Sequence, residues 1–298
     1  MLGVNDKTWL VDMLCNTAKN DIKSNSNQTL SVSNLNHKQY SVYFGLGQSI
    51  NLHDRPNVFK VSLAGITLGN YILKELYHRK TSGKFLDIGT GSGVLALLIR
   101  SIGATNITAT DICENSINLA KENELLNFNN EKILFFCGDL FSNLPNDERY
   151  DTIIFNPPGW RTPSNQLLDE LKKIQTEYDM RPEAMFFGDH VLLKFLQDLP
   201  NRLNTKGRAL IGLNSLVGIQ DILKRYNSTY LTDSPLNFRL LERHSLPLLF
   251  YTPGWKLAEP LLIKEFKVWR DHHTAAYTVD ANGQLYWSYE VIECTHKS

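Results

Sequence analysis

Three carboxylates and one asparagine stand out in this 298-residue chain by their type and their place. Asp87 opens the stretch Asp87-Ile88-Gly89-Thr90-Gly91-Ser92-Gly93, where a hydrophobic run turns toward a helix. Glycine tolerates positive φ and has no Cβ, so such a turn lets the backbone pass close beneath a ligand while the helix N-terminus offers free N–H groups. Asp111 ends the next apolar run, where an acidic side chain can accept both hydroxyls of a ribose. Asp139, in Gly138-Asp139-Leu140, follows the third run, and the fourth ends in Asn156-Pro157-Pro158-Gly159-Trp160. Two prolines remove two backbone donors and stiffen the chain, leaving the Asn156 amide oxygen and the Pro157 carbonyl as fixed acceptors for an N–H₂ group. With both hydrogens held, the nitrogen lone pair can be aimed at an electrophile. Acceleration then comes from orientation and from stabilising charge as it develops, without a strong general base. A glycine-rich turn alone is a weak signal, and an Asn-Pro turn alone merely ends a strand. Three carboxylates at three successive strand ends are hard to assign to coincidence.

The elements that must position them follow from periodicity. From Val58 onward strands and helices alternate, the pattern of a parallel sheet with helices on both faces. Leu68, Ile72 and Leu76 recur every fourth residue, giving a helix before the first core strand at 84–88. Strands at 106–110, 132–137, 150–155 and 208–213 are predicted to alternate with helices over 94–100, 114–126, 191–203 and 219–226. Ligands of open α/β sheets bind at the carboxyl edge of the strands, so Asp87, Asp111, Asp139 and Asn156 should share one rim. Ahead of this region Trp9, Leu10, Met13, Leu14 and Ala18 form one stripe of a helix that Asp6 could cap. Runs at 40–44 and 49–52 read as strands parted by Gly45 and Gly47. Behind it, runs at 238–241 and 246–251 are too close for a crossover helix and are predicted to be antiparallel neighbours at a sheet edge. Asp280-Ala281-Asn282-Gly283 parts 275–279 from 285–292 as a terminal hairpin. The predicted organisation is an accessory segment over 1–57, a main domain over 58–255 and a C-terminal extension over 256–298.

Residues 87–93, Asp111 and 138–140 together resemble the S-adenosylmethionine-binding motifs of class I methyltransferases, over roughly 58–252. The resemblance implies a Rossmann-like sheet of seven strands, the last antiparallel, flanked by helices. It also implies S-adenosylmethionine as cofactor. The loop with Asp87, Gly89, Thr90, Gly91 and Gly93 would carry the amino acid part, Asp111 the ribose and Asp139 the adenine amine. Ile112, Leu140 and Asn156 would be further contacts. The G-x-G-x-G spacing departs from the G-x-G-x-x-G of nicotinamide dehydrogenases. Asn156-Pro157-Pro158 resembles the N-P-P-(Tyr/Phe/Trp) motif of methyltransferases acting on nitrogen, and Phe186-Phe187-Gly188-Asp189-His190 is similar to the HemK/PrmC-like glutamine N5-methyltransferases. By that resemblance Asn156 and Pro157 are the catalytic amide-binding pair, with Pro158 and Trp160 also at the substrate. Here Gly159 follows the prolines and Trp160 comes one place late. Phe59 and Thr67 hold cofactor-lid positions, but the family's Pro-Arg-Pro and following Glu are missing, and no N-terminal helical bundle is read. A release factor is therefore not assigned as acceptor. The expected reaction is methyl transfer to an amide or amine nitrogen of a small metabolite or protein side chain. The alternatives are an RNA or DNA base amine, small-molecule O-methylation, and a non-catalytic cofactor-binding scaffold.

Composition narrows the partners. Lys+Arg and Asp+Glu balance at 31 each, so no global positive field is present to hold a phosphate backbone, and nucleic acid is disfavoured. A hydrophobic fraction of 42% with 21% charged residues predicts a folded chain. Cys15, Cys113, Cys137 and Cys294 show no C-x-x-C spacing and no clustered histidines; they read as reduced, mostly core thiols, with no metal site. Residues 1–20 lack a basic flank followed by an apolar run, and no stretch has membrane-spanning length, so a cytoplasmic protein without a membrane partner is expected. His53, His190, His272 and His273 are not assigned as bases, since single histidines beside acids are usually solvated or structural. Tyr40, Tyr43, Phe44, Trp160 and Trp255 are candidates for an aromatic acceptor wall, although packing is the commoner role. Nothing in the sequence sets the oligomeric state.

Overall fold

The computed structural model describes residues 38–55, 58–77, 81–175, 182–250 and 252–297. The helix expected around Trp9 and Leu10 lies outside the described residues. The first described elements are an antiparallel pair, β1 (Gln39–Gly45) and β2 (Gln48–His53), whose turn residues Gly45, Leu46 and Gly47 all take positive φ. Side chains alternate across a strand, and here Val42, Phe44, Ile50 and Leu52 are buried while Ser41, Tyr43, Ser49 and Asn51 face solvent. The hairpin lies against α1 (Leu63–Leu76), which begins at Ser62, whose hydroxyl accepts the Gly65 N–H. Gly69 of α1 makes that docking possible, because a Cβ there would stand 2.2 Å from the Phe44 ring.

The main sheet follows with β3 (Phe85–Ile88), α2 (Val94–Ser101), β4 (Ile107–Asp111), α3 (Glu114–Phe128), β5 (Leu134–Cys137), β6 (Tyr150–Phe155), α4 (Asn165–Gln175), α5 (Gly188–Asp198) and β7 (Leu203–Asn214). The last elements are α6 (Ile219–Ser228), β8 (Leu236–Pro247), α7 (Pro253–Asp271), β9 (Tyr277–Val279) and β10 (Leu285–His296). Strand order is β5-β4-β3-β6-β7-β10-β8, with short β9 beside β10. Strands β3 to β7 are mutually parallel, and β10 is antiparallel to both β7 and β8. This is the expected Rossmann-like sheet with one reversed strand. Apolar residues of the β1–β2 hairpin, α1, α2 and α7 pack into one layer, and those of α5 and α6 into the other.

Two predicted features of the C-terminal third are corrected. The runs at 238–241 and 246–251 are not two neighbouring strands: β8 runs unbroken from Leu236 to Pro247, paired with β10 over its length, and 248–250 leave the sheet. Residues 242–245, which looked like a link, alternate between half-buried and exposed like the rest of an edge strand. The expected hairpin is there as β9 and β10, but β10 continues into the slot between β7 and β8. Residues 256–298 thus supply the strand that completes the sheet, together with most of a helix, α7, that was not anticipated. Its buried face is Trp255, Ala258, Leu262, Phe266 and Trp269, and Pro260 sits on the exposed side. Helix α4, which buries Leu167 and Leu171, was also not anticipated. Among the described cysteines only Cys294 is buried; Cys113 is half-buried and Cys137 exposed. Among the described residues no helix is long and apolar enough to cross a membrane, and no cluster of metal-ligating side chains is found.

Candidate active site

The glycine loop leaves β3 at the carboxyl edge of the sheet with positive φ at Gly89, Gly91 and Gly93. Asp87 organises it from below. Its carboxylate, 1% exposed, accepts the Thr90 hydroxyl at 2.6 Å and the Ala96 N–H at 3.2 Å. Burial pushes this acid up to about 7, only partly offset by those donors. Asp111 accepts the Gly91 N–H at 2.8 Å on one oxygen and the Cys113 N–H at 2.9 Å on the other. Burial raises its pKa, and these N–H groups with the Ser116 hydroxyl pull it back. The loop is also tied to the N-terminal hairpin. Asn123 of α3 accepts the His53 N–H at 2.8 Å and donates to the Ser92 carbonyl at 2.8 Å.

Above the loop opens a cavity of about 560 Å³, within the range of small-molecule sites. Asp87, Gly89, Thr90 and Gly91 line it, as do Asp111 with Ile112, Asp139 with Leu140, and residues 156–160. The strand-end groups predicted to share one rim therefore do. A Cβ on Gly91 would meet nothing within 4 Å, so that glycine faces open space. Gly93 does not line the cavity: a Cβ there would stand 2.9 Å from the Ala120 Cβ, so its role is to let α3 pack against the start of α2. Ile112 is 72% exposed and Asp139, partly exposed, pairs with Lys194 at 2.6 Å. Three carboxylates, an open glycine cradle and an exposed aliphatic side chain suit a group that combines an amino acid, a ribose and a base.

The other half of the cavity is built around the proline turn. The segment 186–190 braces it: the Gly188 N–H donates to the Trp160 carbonyl at 2.8 Å, and a Cβ on Gly188 would come within 2.0 Å of the Pro158 carbonyl oxygen. Buried Asp189 accepts both the N–H and the hydroxyl of Thr162, at 2.7 and 2.8 Å. Trp160 reaches the wall as part of an aromatic knot, 2% exposed, with ring centroids 5.1 Å from Phe186, 5.4 Å from Trp255 and 5.2 Å from Phe266. Burial and three edge-type ring contacts tie this residue to the core even though it lines the cavity. Tyr40, Tyr43 and Phe44 do not line the cavity, and neither does Thr67, whose hydroxyl donates to the Leu63 carbonyl. Phe59 does, at 39% exposure.

Among the wall residues missed in the sequence are Trp287 and Tyr289 of β10. The Tyr289 hydroxyl donates to Asn156 Oδ1 at 2.8 Å. The signal was present: Leu285, Trp287, Tyr289 and Val291 alternate with residues of lower burial, the mark of a strand with one face in a core. The charged residues of the wall are Lys60, Asp87, Asp111 and Asp139, and each is engaged. Lys60 pairs with Asp54 at 2.6 Å and Asp139 with Lys194, while Asp87 and Asp111 hold the loop.

Comparison with known proteins fits this geometry. The methyltransferase small domain family matches residues 49–170. A protein of Methanocaldococcus jannaschii, named provisionally as a protein N5-glutamine methyltransferase, is 31% identical over 65% of this chain and 87% of its own length. The release factor glutamine methyltransferase of Rhodopirellula baltica is 33% identical over 51% of each chain, so this chain spans about half of that enzyme. Other relatives are named as ribosomal RNA and transfer RNA methyltransferases. A solved structure of a provisionally named methyltransferase, SMU.776, complexed with SAH, shares the fold at a TM-score of 0.50 and 14% identity, over 88% of this chain and 58% of that one. The chain belongs to the HemK/PrmC-like, N-P-P branch of the class I S-adenosylmethionine-dependent methyltransferases.

Proposed function

We propose that the enzyme transfers a methyl group to the nitrogen of an uncharged amide, on a protein side chain or a small metabolite. The observation that carries this reading is the composition of the wall around Asn156. Apart from the amides of Asn156 and Asn214, the residues that the proline turn, 186–187, α7 and β10 contribute are aromatic or aliphatic, including Phe186, Trp255, Trp287 and Tyr289, and the four charged lining residues are engaged in other contacts. A cationic amine would lose its hydration in such a chamber without a counter-ion, which costs several kcal/mol. A neutral amide needs no counter-ion, and the Asn156 and Pro157 oxygens replace the water that its N–H groups lose.

The cofactor, when bound, supplies an electrophilic methyl carried on a sulfonium. In this reading Gly89 and Gly91 bring the backbone close beneath its amino acid end, with Asp87 and Thr90 holding the loop in shape. Asp111 would hold the ribose, Ile112 and Leu140 would meet the adenine, and Asp139 would accept from its amine. Asn156 Oδ1 and the Pro157 carbonyl accept the two N–H bonds of the acceptor amide, which turns the nitrogen lone pair toward the methyl. The aromatic wall excludes water, so these two dipoles act at low dielectric on the charge that develops at nitrogen. As the N–C bond forms, the sulfur–methyl bond would break and the donor would leave as a neutral thioether; the amide nitrogen gives up one of its two protons to solvent water as the product departs, and the product is a secondary amide.

The test is to incubate the protein with [methyl-³H]S-adenosylmethionine and, separately, with protein, RNA and metabolite fractions. The reading expects label in protein or metabolite, and acid hydrolysis of that product should release volatile methylamine. Label confined to RNA, or retained on a base or ring amine after hydrolysis, would contradict it.

A further inference from the structure

We propose that Tyr289 is a positioning residue for methyl transfer: its hydroxyl locks the Asn156 amide in the one orientation that presents oxygen to the acceptor N–H₂. The proposal rests on the reading of Asn156 as the acceptor clamp.

Asn156 directly follows β6, whose Phe155 pairs with Ile211 of β7, so Gly212 lies beside it. Gly212 in turn pairs with Val291 of β10, and Tyr289 with Asn214. Tyr289 thus stands two strands away from Asn156, about 9.5 Å at the usual interstrand spacing. Its ring bridges that gap by lying across β7 at the one point where no side chain stands in the way. A Cβ on Gly212 would be 1.7 Å from the Tyr289 hydroxyl oxygen and 2.9 Å from Asn156 Oδ1. Glycine inside a strand weakens it, and its use here matches a site where another group must approach the backbone closely.

The chemistry of an asparagine gives that approach a purpose. The terminal torsion of Asn is broad and roughly two-fold, so an unanchored amide exchanges its oxygen and nitrogen ends. A flipped Asn156 would face the acceptor N–H₂ with its own N–H₂, donor against donor. The Tyr289 hydroxyl donates to Oδ1 at 2.8 Å and so selects the productive end, leaving the second lone pair of that oxygen for the acceptor. Tyr289 is 1% exposed, and burial pushes its phenol further up from an already high pKa, so it stays a neutral donor throughout the working range.

Tyr289→Phe removes a single buried oxygen and keeps the ring. With [methyl-³H]S-adenosylmethionine and the extract fraction that the wild type labels, kcat should fall about tenfold, the effect of one lost oriented hydrogen bond, while calorimetric affinity for S-adenosylmethionine stays unchanged. In an Asn156→Ala background the same change should cost nothing further. A second readout needs no acceptor. In ¹⁵N-asparagine-labelled protein, the side-chain amide pair that disappears in Asn156→Ala should shift and broaden in Tyr289→Phe. Gly212→Ala, if it folds, should reproduce the Tyr289→Phe kinetics, since the added methyl displaces the ring. An unaltered amide pair with wild-type kcat in Tyr289→Phe would overturn the proposal. So would an equal loss in both backgrounds. If Asn156→Ala itself turned over like the wild type, the clamp reading would fail and this proposal with it. An impaired Asn156→Ala beside an unimpaired Tyr289→Phe would sink only the role of Tyr289.

Discussion

The two halves of the cavity are made in different ways. The half proposed to seat the cofactor is assembled from short motifs, each at the end of its own strand: Asp87 and the glycines at the end of β3, Asp111 and Ile112 at the end of β4, Asp139 and Leu140 after β5. The acceptor half has one such motif, the proline turn after β6. The rest comes from afar: the brace at 186–190, the knot on α7, and β10, whose Tyr289 lies 133 residues from its partner Asn156. Parallel strands impose the first arrangement, because every strand-to-helix turn emerges at the same edge. Nothing local imposes the second. It depends on the reversed strand entering the slot between β7 and β8.

That contrast can be broken or sharpened by mutation. The largest effect should fall on Trp160, which the sequence offers as a stacking surface and the fold uses as core. Trp160→Ala is expected to destabilise the protein by about 3–5 kcal/mol, the usual cost of emptying a buried aromatic site. Urea unfolding measures it. A stable Trp160→Ala protein with a defect confined to acceptor KM would return this residue to the substrate site.

In the cofactor half the corresponding stress is electrostatic. Asp87 is raised from its ordinary 3.8 to about 7, chiefly by burial, so between those values the native protein binds this proton more tightly than the unfolded chain. Stability should therefore decline as pH rises through that window, by up to about 4 kcal/mol. Asp87→Asn should flatten that slope. A wild-type slope retained in Asp87→Asn, by urea midpoints from pH 4 to 8, would show that another group is responsible. Smaller still should be Asp111→Ala, which is expected to weaken S-adenosylmethionine binding by about 1–3 kcal/mol, the scale of charge-assisted hydrogen bonds, with kcat at saturation little changed. Unchanged calorimetric affinity would count against the ribose role.

The same contrast explains what could be read in the sequence. Asp87, Asp111, Asp139 and Asn156 were legible because strand, turn and functional group are contiguous, and the parallel topology places them without further information. Gly93 was legible as a glycine but not in its task, since only packing shows that its missing Cβ serves Ala120 rather than a ligand. The stripe Trp255, Ala258, Leu262, Phe266 and Trp269 has clean helical spacing, yet Pro260 within it argues against a helix. In the fold that proline lies on the exposed face of α7. Strand β8 was divided in two because Glu242 to Ser245 looked like a link, whereas an edge strand can carry polar residues along its open side. Tyr289 was hidden for the opposite reason. Its hairpin was recognised, but a hairpin read alone does not reveal that one of its strands will run on into the sheet.

The central claim is that these halves are separable: one seats the donor and the other, through Asn156, aims the acceptor. The most direct measurement pairs calorimetric binding of S-adenosylmethionine with turnover in Asn156→Ala. Affinity should remain near that of the wild type while kcat falls about 100-fold or more, the cost of losing one oriented transition-state contact. A parallel loss of binding and turnover, or turnover left intact, would contradict it.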